Sequence, residues 1–274
     1  MSEERDERRE VVEHYRAYDE SKRPEGDIGP LELARTKELM LRFLPPAPSV
    51  VLDVGGGTGV YALWLAGLGY DVHLVDVVLR HVELARRASG GGGTAGLASA
   101  RVGDARHLAL DDRSADVVIM HGPLYHLVER KDRVRAMEEA RRVLRCGGVL
   151  LAFGITRYAS LIYGLVKGHV FDADYYEMVM REVRTGMREN PATWMNAFPR
   201  AHFHHPDELA DELKAAGFEH EKTLGVLGPA WMVPDLDGSW AKEAERDVKL
   251  SVARLTEDEP VLGPRLMAVG RRTQ

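Results

Sequence analysis

Val50-Val51-Leu52-Asp53-Val54-Gly55-Gly56-Gly57-Thr58-Gly59 is an apolar, β-branched run that ends in a glycine-rich turn. Residues 60–68, directly after it, are apolar enough for a buried helix, which Gly69 stops. Strand, glycine turn and helix in this order build a ligand cradle. Glycines admit φ > 0 and let a ligand approach the backbone closely. The helix N-terminus beyond them favours electron-rich or anionic groups. The next apolar run, 71–76, closes on Asp76, a carboxylate able to accept two hydrogen bonds from a ribose diol. This is the plan of an adenosine-cofactor site. A dinucleotide fingerprint reads G-x-G-x-x-G. Gly55 and Gly57 fit it, but its third glycine position is Val60 and the last glycine here is Gly59.

Outward from this turn, strands at 50–54, 71–76, 100–102, 115–120 and 148–153 alternate with helices at 60–68, 79–88 and 131–144. Such alternation predicts a parallel sheet with helices on both faces. Ahead of it, 11–20 and 31–43 have helical spacing, and the second stops before Pro45-Pro46-Ala47-Pro48. After residue 155 the rhythm breaks into a segment rich in Tyr, Met and Trp, read as a helical insertion. A helix at 206–216 with Gly217 as its stop, and strands at 223–227 and 266–270, complete the pattern. The expected organisation is an N-terminal helical lid over 1–48 and a cofactor-binding core over 49–154. A helical cap over 155–203 lines the acceptor pocket, and 204–274 form the C-terminal part of the core sheet.

Composition removes several classes. The 274 residues suit one large α/β domain with a small cap, and the net charge of −6 gives no global field that attracts nucleic acid. The single cysteine, Cys146, excludes an intrachain disulfide framework and a cysteine-only metal site. The charged N-terminus lacks a secretory h-region, and no apolar run is long enough to span a membrane, so the expected location is the cytoplasm.

The order of motifs resembles the class I S-adenosylmethionine (SAM) methyltransferases. Residues 51–59 resemble their motif I, and Asp76 the acidic residue after strand 2. Gly103-Asp104-Ala105 resembles the adenine site, 116–127 (DVVIMHGPLYHL) motif IV, and 138–154 the helix and strand that follow. The resemblance implies a Rossmann-like sheet of order 3-2-1-4-5-7-6 with strand 7 antiparallel. It implies SAM as cofactor, with S-adenosylhomocysteine as product. Asp53, Gly55, Gly56, Gly57, Gly59, Asp76, Val77, Asp104, Ala105 and His121 would then hold it. Arg35 is a candidate partner for the SAM carboxylate and Tyr18 a lid residue.

His121-Gly122-Pro123-Leu124 departs from the D/N-P-P-aromatic signature of enzymes that methylate amino groups in nucleic acid. No Pro-Cys pair stands there for cytosine-C5 chemistry, and no carboxylate serves metal-assisted catechol chemistry, so no metal is expected. His126 is the first candidate for a general base, because histidine titrates near neutral pH. Tyr15, Tyr125, His204 and Trp194 are candidate acceptor contacts. His202, His204 and His205 lack further ligands for a metal site, and Pro206-Asp207-Glu208 makes His205 a capping residue.

The expected activity is methyl transfer to an oxygen or nitrogen of a small organic molecule, of the secondary-metabolite kind, without nucleic acid or membrane. Two alternatives stay open: a methyltransferase acting on a peptide or macromolecule, and a non-catalytic SAM-binding regulator or partner subunit. The oligomeric state, a homodimer among the options, is open as well.

Overall fold

The computed structural model describes residues 9–15, 29–90, 96–191, 200–233 and 240–274. Helix α1 (9–15) is followed by α2 (Gly29–Phe43), β1 (Val50–Val54), α3 (Val60–Gly67), β2 (Asp71–Asp76), α4 (Leu79–Gly90) and β3 (Ser99–Val102). Then come β4 (Ala115–Met120), the short α5 (Pro123–His126), α6 (Arg130–Val143) and β5 (Leu144–Ile155). The next segment holds α7 (Ala159–Lys167), α8 (Ala173–Thr185), β6 (Met187–Arg188) and β7 (Ala201–His202). Last come α9 (Pro206–Ala215), β8 (Glu219–Gly225), α10 (Glu243–Leu255) and β9 (Arg265–Arg271).

Seven strands form one sheet in the order β3-β2-β1-β4-β5-β9-β8. The first five are parallel, and β9 runs antiparallel to both β5 and β8. With β8 counted sixth and β9 seventh, this is the order that the motif pattern implies. Both faces of the sheet are covered, which explains the continuous apolar strands. Val51, Val117, Ile119 and Leu151 pack with Leu39, Leu65 and Val82 of α2, α3 and α4 on one face. Leu52, Val118, Met120 and Leu150 pack with Met137, Leu209 and Leu213 of α6 and α9 on the other.

Strand order reverses between β1 and β4, where Val54 pairs with Met120. A crevice opens beyond the carboxyl ends of strands at such a switch point, so the loops after β1, β2, β3 and β4 converge there.

The 155–203 segment is not wholly helical. Gly186, at φ +75, ends α8, and a Cβ on it would come within 2.6 Å of His202 Cε1 and of the Phe203 carbonyl. That close approach lets Met187 and Arg188 pair antiparallel with His202 and Ala201. Strand β5 also starts at Leu144, earlier than the Gly148 expected from its apolar run, because Leu144 already has extended backbone at the end of α6. Among the described residues no helix is long and apolar enough to cross a membrane.

Candidate functional site

The strand ends border a cleft lined by the glycine turn, Asp76, Asp104, His121 and the loop after β4, and by Val11 and Tyr15 of α1. The turn admits no side chain. Gly55 stands at φ +72, and a Cβ on it would lie 2.7 Å from Pro123 Cδ. A Cβ on Gly56 would lie 2.6 Å from Oδ2 of Asp53, which is buried at the end of β1. Gly55, Gly56, Gly57 and Asp53 all line the cleft. Gly59 does not: at φ +90 it turns the chain into α3 as its N-cap residue.

Asp76 is buried at the tip of β2 and held from three sides. The Gly57 N–H donates to Oδ2 at 2.9 Å and the Val78 N–H to Oδ1 at 2.8 Å. His81 Nδ1 stands 3.3 Å from Oδ1. These contacts fix the carboxylate orientation before any ligand arrives, and Val77 lines the cleft beside it.

Asp104, after β3, faces the cleft with Ala105. The Arg106 backbone N–H and Nε donate to Oδ1 at 2.9 and 3.0 Å, and Nη2 donates to Oδ2 at 2.9 Å. Arg106 Nη1 reaches Asp132 Oδ2 at 3.3 Å, so a buried guanidinium clamps the candidate adenine carboxylate from behind.

Beyond the glycine turn, the His121 ring lies 4.3 Å from that of Phe153 and 4.9 Å from that of Tyr61, and its Nε2 is 3.8 Å from Glu32 Oε1. Tyr125 and His126, in α5, form the adjoining wall, and the Arg265 guanidinium lies 5.5 Å from the centre of the Tyr125 ring. The Tyr15 hydroxyl stands 3.0 Å from His126 Nε2. Burial, then the charges of His14 and Arg265, push the His126 pKa down to about 3. A general base is expected to titrate near neutrality, and in this environment His126 is neutral at pH 7.

Two candidates lie elsewhere. Arg35 is fully buried, ion-paired with Glu38 at 2.7 Å and Glu257 at 2.8 Å, and it donates to the Val226 carbonyl at 3.3 Å. It ties α2 to the C-terminal segment and does not line the cleft, because its face of α2 turns to the core and not to the strand ends. His204 is fully buried with Nε2 3.3 Å from Glu212 Oε2, and it also lies outside the cleft lining. It packs against Gly154, where a Cβ would lie 3.2 Å from its Nδ1. His205 caps α9 in a capping box with Glu208. Tyr18 and Trp194 lie outside the described residues. Among the described residues no three or more of His, Cys, Asp and Glu are grouped to hold a metal ion.

Two residues that sequence reasoning passed over stand in the cleft wall, His81 and Arg106. Their signals were short-range: a histidine five residues after the strand-end Asp76, and an arginine two after Asp104.

Residues 52–152 match the family model described as a methyltransferase domain. An uncharacterized methyltransferase of Mycobacterium tuberculosis is 32% identical over 158 residues, which are 56% of this chain and 61% of that relative. The chain thus spans less than two thirds of the relative's length. A ubiquinone biosynthesis O-methyltransferase of Methylocella silvestris is 26% identical over 245 residues, 82% of this chain and 83% of that protein. The crystal structure of a SAM-dependent methyltransferase from Methanosarcina mazei superposes with a TM-score of 0.59 at 19% identity, covering 85% of this chain and 96% of that one. At that identity the likeness is one of fold.

Proposed function

We propose that this chain, which has the class I SAM-dependent methyltransferase fold, transfers a methyl group from SAM to an oxygen or nitrogen of a small organic molecule. One observation carries the reading. A single cleft joins the carboxylates of Asp76 and Asp104, the side-chain-free turn at Gly55–Gly57, and the Tyr15–His126 pair.

The residues present fit an adenosine-bearing group. Asp76 offers a pre-oriented carboxylate to a ribose diol, Asp104 and Ala105 offer an acceptor and a backbone donor to a base edge, and the glycine turn leaves backbone exposed where a side chain would collide. When bound, SAM supplies an electrophilic methyl group on a good leaving group.

The chain's own task is then positional. Tyr125 and His126 bound the space where an acceptor would stand, and α1 covers it through Val11 and Tyr15 and so keeps water out. Orientation of this kind contributes about 7–11 kcal/mol in favourable cases. His126, neutral at pH 7 because of burial, is held at Nε2 by the Tyr15 hydroxyl and bounds the acceptor space as a positioned wall. With a pKa near 3 it is an orienting group and not a lasting proton store. A roofed cleft walled by aromatic and histidine side chains favours a small acceptor, as does the likeness to the ubiquinone biosynthesis O-methyltransferase of Methylocella silvestris.

The test is transfer of labelled methyl from SAM to separate panels of phenols, amines, carboxylic acids, peptides and RNA. The reading expects label in a small-molecule panel. Label in peptide or RNA alone would overturn the acceptor class. Tight binding of S-adenosylhomocysteine without transfer to any panel would favour a non-catalytic SAM-binding protein, with Tyr15 standing in the acceptor space.

A further inference from the structure

His81 lines the cleft and has a buried ring nitrogen that no hydrogen bond among the described residues uses. It sits in the first turn of α4, five residues after Asp76, and is 4% exposed. Its Nδ1 stands 3.3 Å from Asp76 Oδ1, the same oxygen that accepts from the Val78 N–H. A carboxylate only accepts, so the proton of that contact belongs to Nδ1, and Nε2 is the ring nitrogen left for a ligand. Nε2 is buried and hydrogen-bonds nothing among the described residues. The Tyr15 ring packs against the His81 ring, 5.1 Å away between centroids and nearly edge-on at 70°, and its hydroxyl is turned to His126. A buried acceptor without a donor is costly, and such sites in native proteins call for an explanation.

We propose that His81 is a nucleoside-binding residue: its Nδ1–H orients the Asp76 carboxylate, and its Nε2 accepts a hydrogen bond from a ribose hydroxyl of the bound cofactor. The inference rests on the methyltransferase reading above. It makes ribose recognition a two-residue device, with Asp76 taking one hydroxyl and His81 the second. His81 is 4% exposed, so an acceptor on Nε2 discriminates between a hydroxyl and its absence more sharply than an exposed group would.

Calorimetric titration of wild-type protein with S-adenosylhomocysteine and with its 2′-deoxy and 3′-deoxy analogues reads this directly. The same titrations follow for His81→Asn, whose amide retains a donor near the Nδ1 position, and for His81→Gln, which retains an acceptor near Nε2. Wild type should prefer the parent compound over one of the deoxy analogues by roughly five- to tenfold more than His81→Asn does, and His81→Gln should restore much of that preference.

Equal preference ratios in wild type and His81→Asn would overturn the assignment of His81 while leaving the methyltransferase reading intact. No binding of S-adenosylhomocysteine to wild type would overturn the methyltransferase reading and the assignment with it. Should the variants not fold, long-range nitrogen NMR of the wild-type histidines decides. The proposal requires the unprotonated His81 Nε2 resonance to move upfield when S-adenosylhomocysteine binds, as a nitrogen does on accepting a hydrogen bond. An unmoved resonance overturns it.

Discussion

The Tyr15 hydroxyl and His126 Nε2 stand 3.0 Å apart although 111 positions separate them in the chain. The contact joins α1 to α5 across the cleft. The Tyr15 ring also packs edge-on against His81, which contacts Asp76. One side chain therefore touches both the wall that carries Asp76 and the wall formed by α5.

Tyr15→Phe keeps the ring against His81 and removes only the hydroxyl. On the proposed function it should lower kcat by about tenfold, the effect of one lost hydrogen bond of roughly 1.4 kcal/mol, and leave S-adenosylhomocysteine affinity within about threefold. Steady-state kinetics with an acceptor from the labelled-methyl screen, beside calorimetry, checks the split. A loss confined to cofactor affinity would contradict the role.

His126 gives a pH signature. Its pKa is about 3 folded against 6.5 for an ordinary histidine. Below pH 6.5 the unfolded chain takes up a proton that the native state refuses. Its contribution to stability is therefore full above pH 6.5 and is lost as pH falls toward 3, by roughly 1.4 kcal/mol per unit. His204, lowered by burial, adds to the wild-type slope in the same direction. His126→Asn should therefore reduce, without abolishing, the difference between urea-unfolding free energies at pH 7.0 and 5.5. An unchanged difference would mean that His126 titrates normally.

Asp104 and Arg106 share three hydrogen bonds. Asp104→Ala should weaken S-adenosylhomocysteine binding and also lower stability, by about 1–3 kcal/mol, because Arg106 is then left with Asp132 as its carboxylate partner. Asp104→Asn, which keeps one acceptor oxygen, should recover part of the stability. Calorimetry and urea unfolding of both variants test this. A fully stable Asp104→Ala protein would show that the clamp carries no weight.

Arg133 is buried between α6 and α9. It donates to both Glu212 oxygens, to Oε1 from Nη2 at 2.7 Å, and to the carbonyls of Leu127 and Val128 at 3.0 and 2.6 Å. Arg133→Leu leaves buried Glu212 with His204 as its side-chain partner among the described residues, so it should cost about 3–5 kcal/mol. The double change Arg133→Leu with Glu212→Leu should recover much of that. Urea unfolding of the single and double variants checks the coupling, and additive losses would contradict it.

What the sequence made legible was local. The β1 run, the glycine turn and Asp76 are read from period, glycine spacing and the end of an apolar stretch, and each depends on neighbours within a few residues. Gly59 shows the limit of a motif: its spacing groups it with the cradle, but its backbone serves α3. Arg35 and His204 were misplaced because a single sequence does not say which face of a helix, or which strand end, meets a carboxylate. Arg35 meets Glu257, 222 residues away. The pK lowering of His126 is equally non-local, since it comes from burial and from the charges of His14 and Arg265. His81 was legible in principle, by its distance from Asp76, yet it reads as one more polar position on an amphipathic helix.

Calorimetric titration of the purified protein with S-adenosylhomocysteine, with NAD⁺ as control and Asp76→Ala beside wild type, tests the central claim most directly. The account predicts binding of S-adenosylhomocysteine in the range of about 1–100 μM, no heat with NAD⁺, and at least a roughly tenfold loss in Asp76→Ala. No binding of S-adenosylhomocysteine, or binding of NAD⁺ in its place, would contradict it.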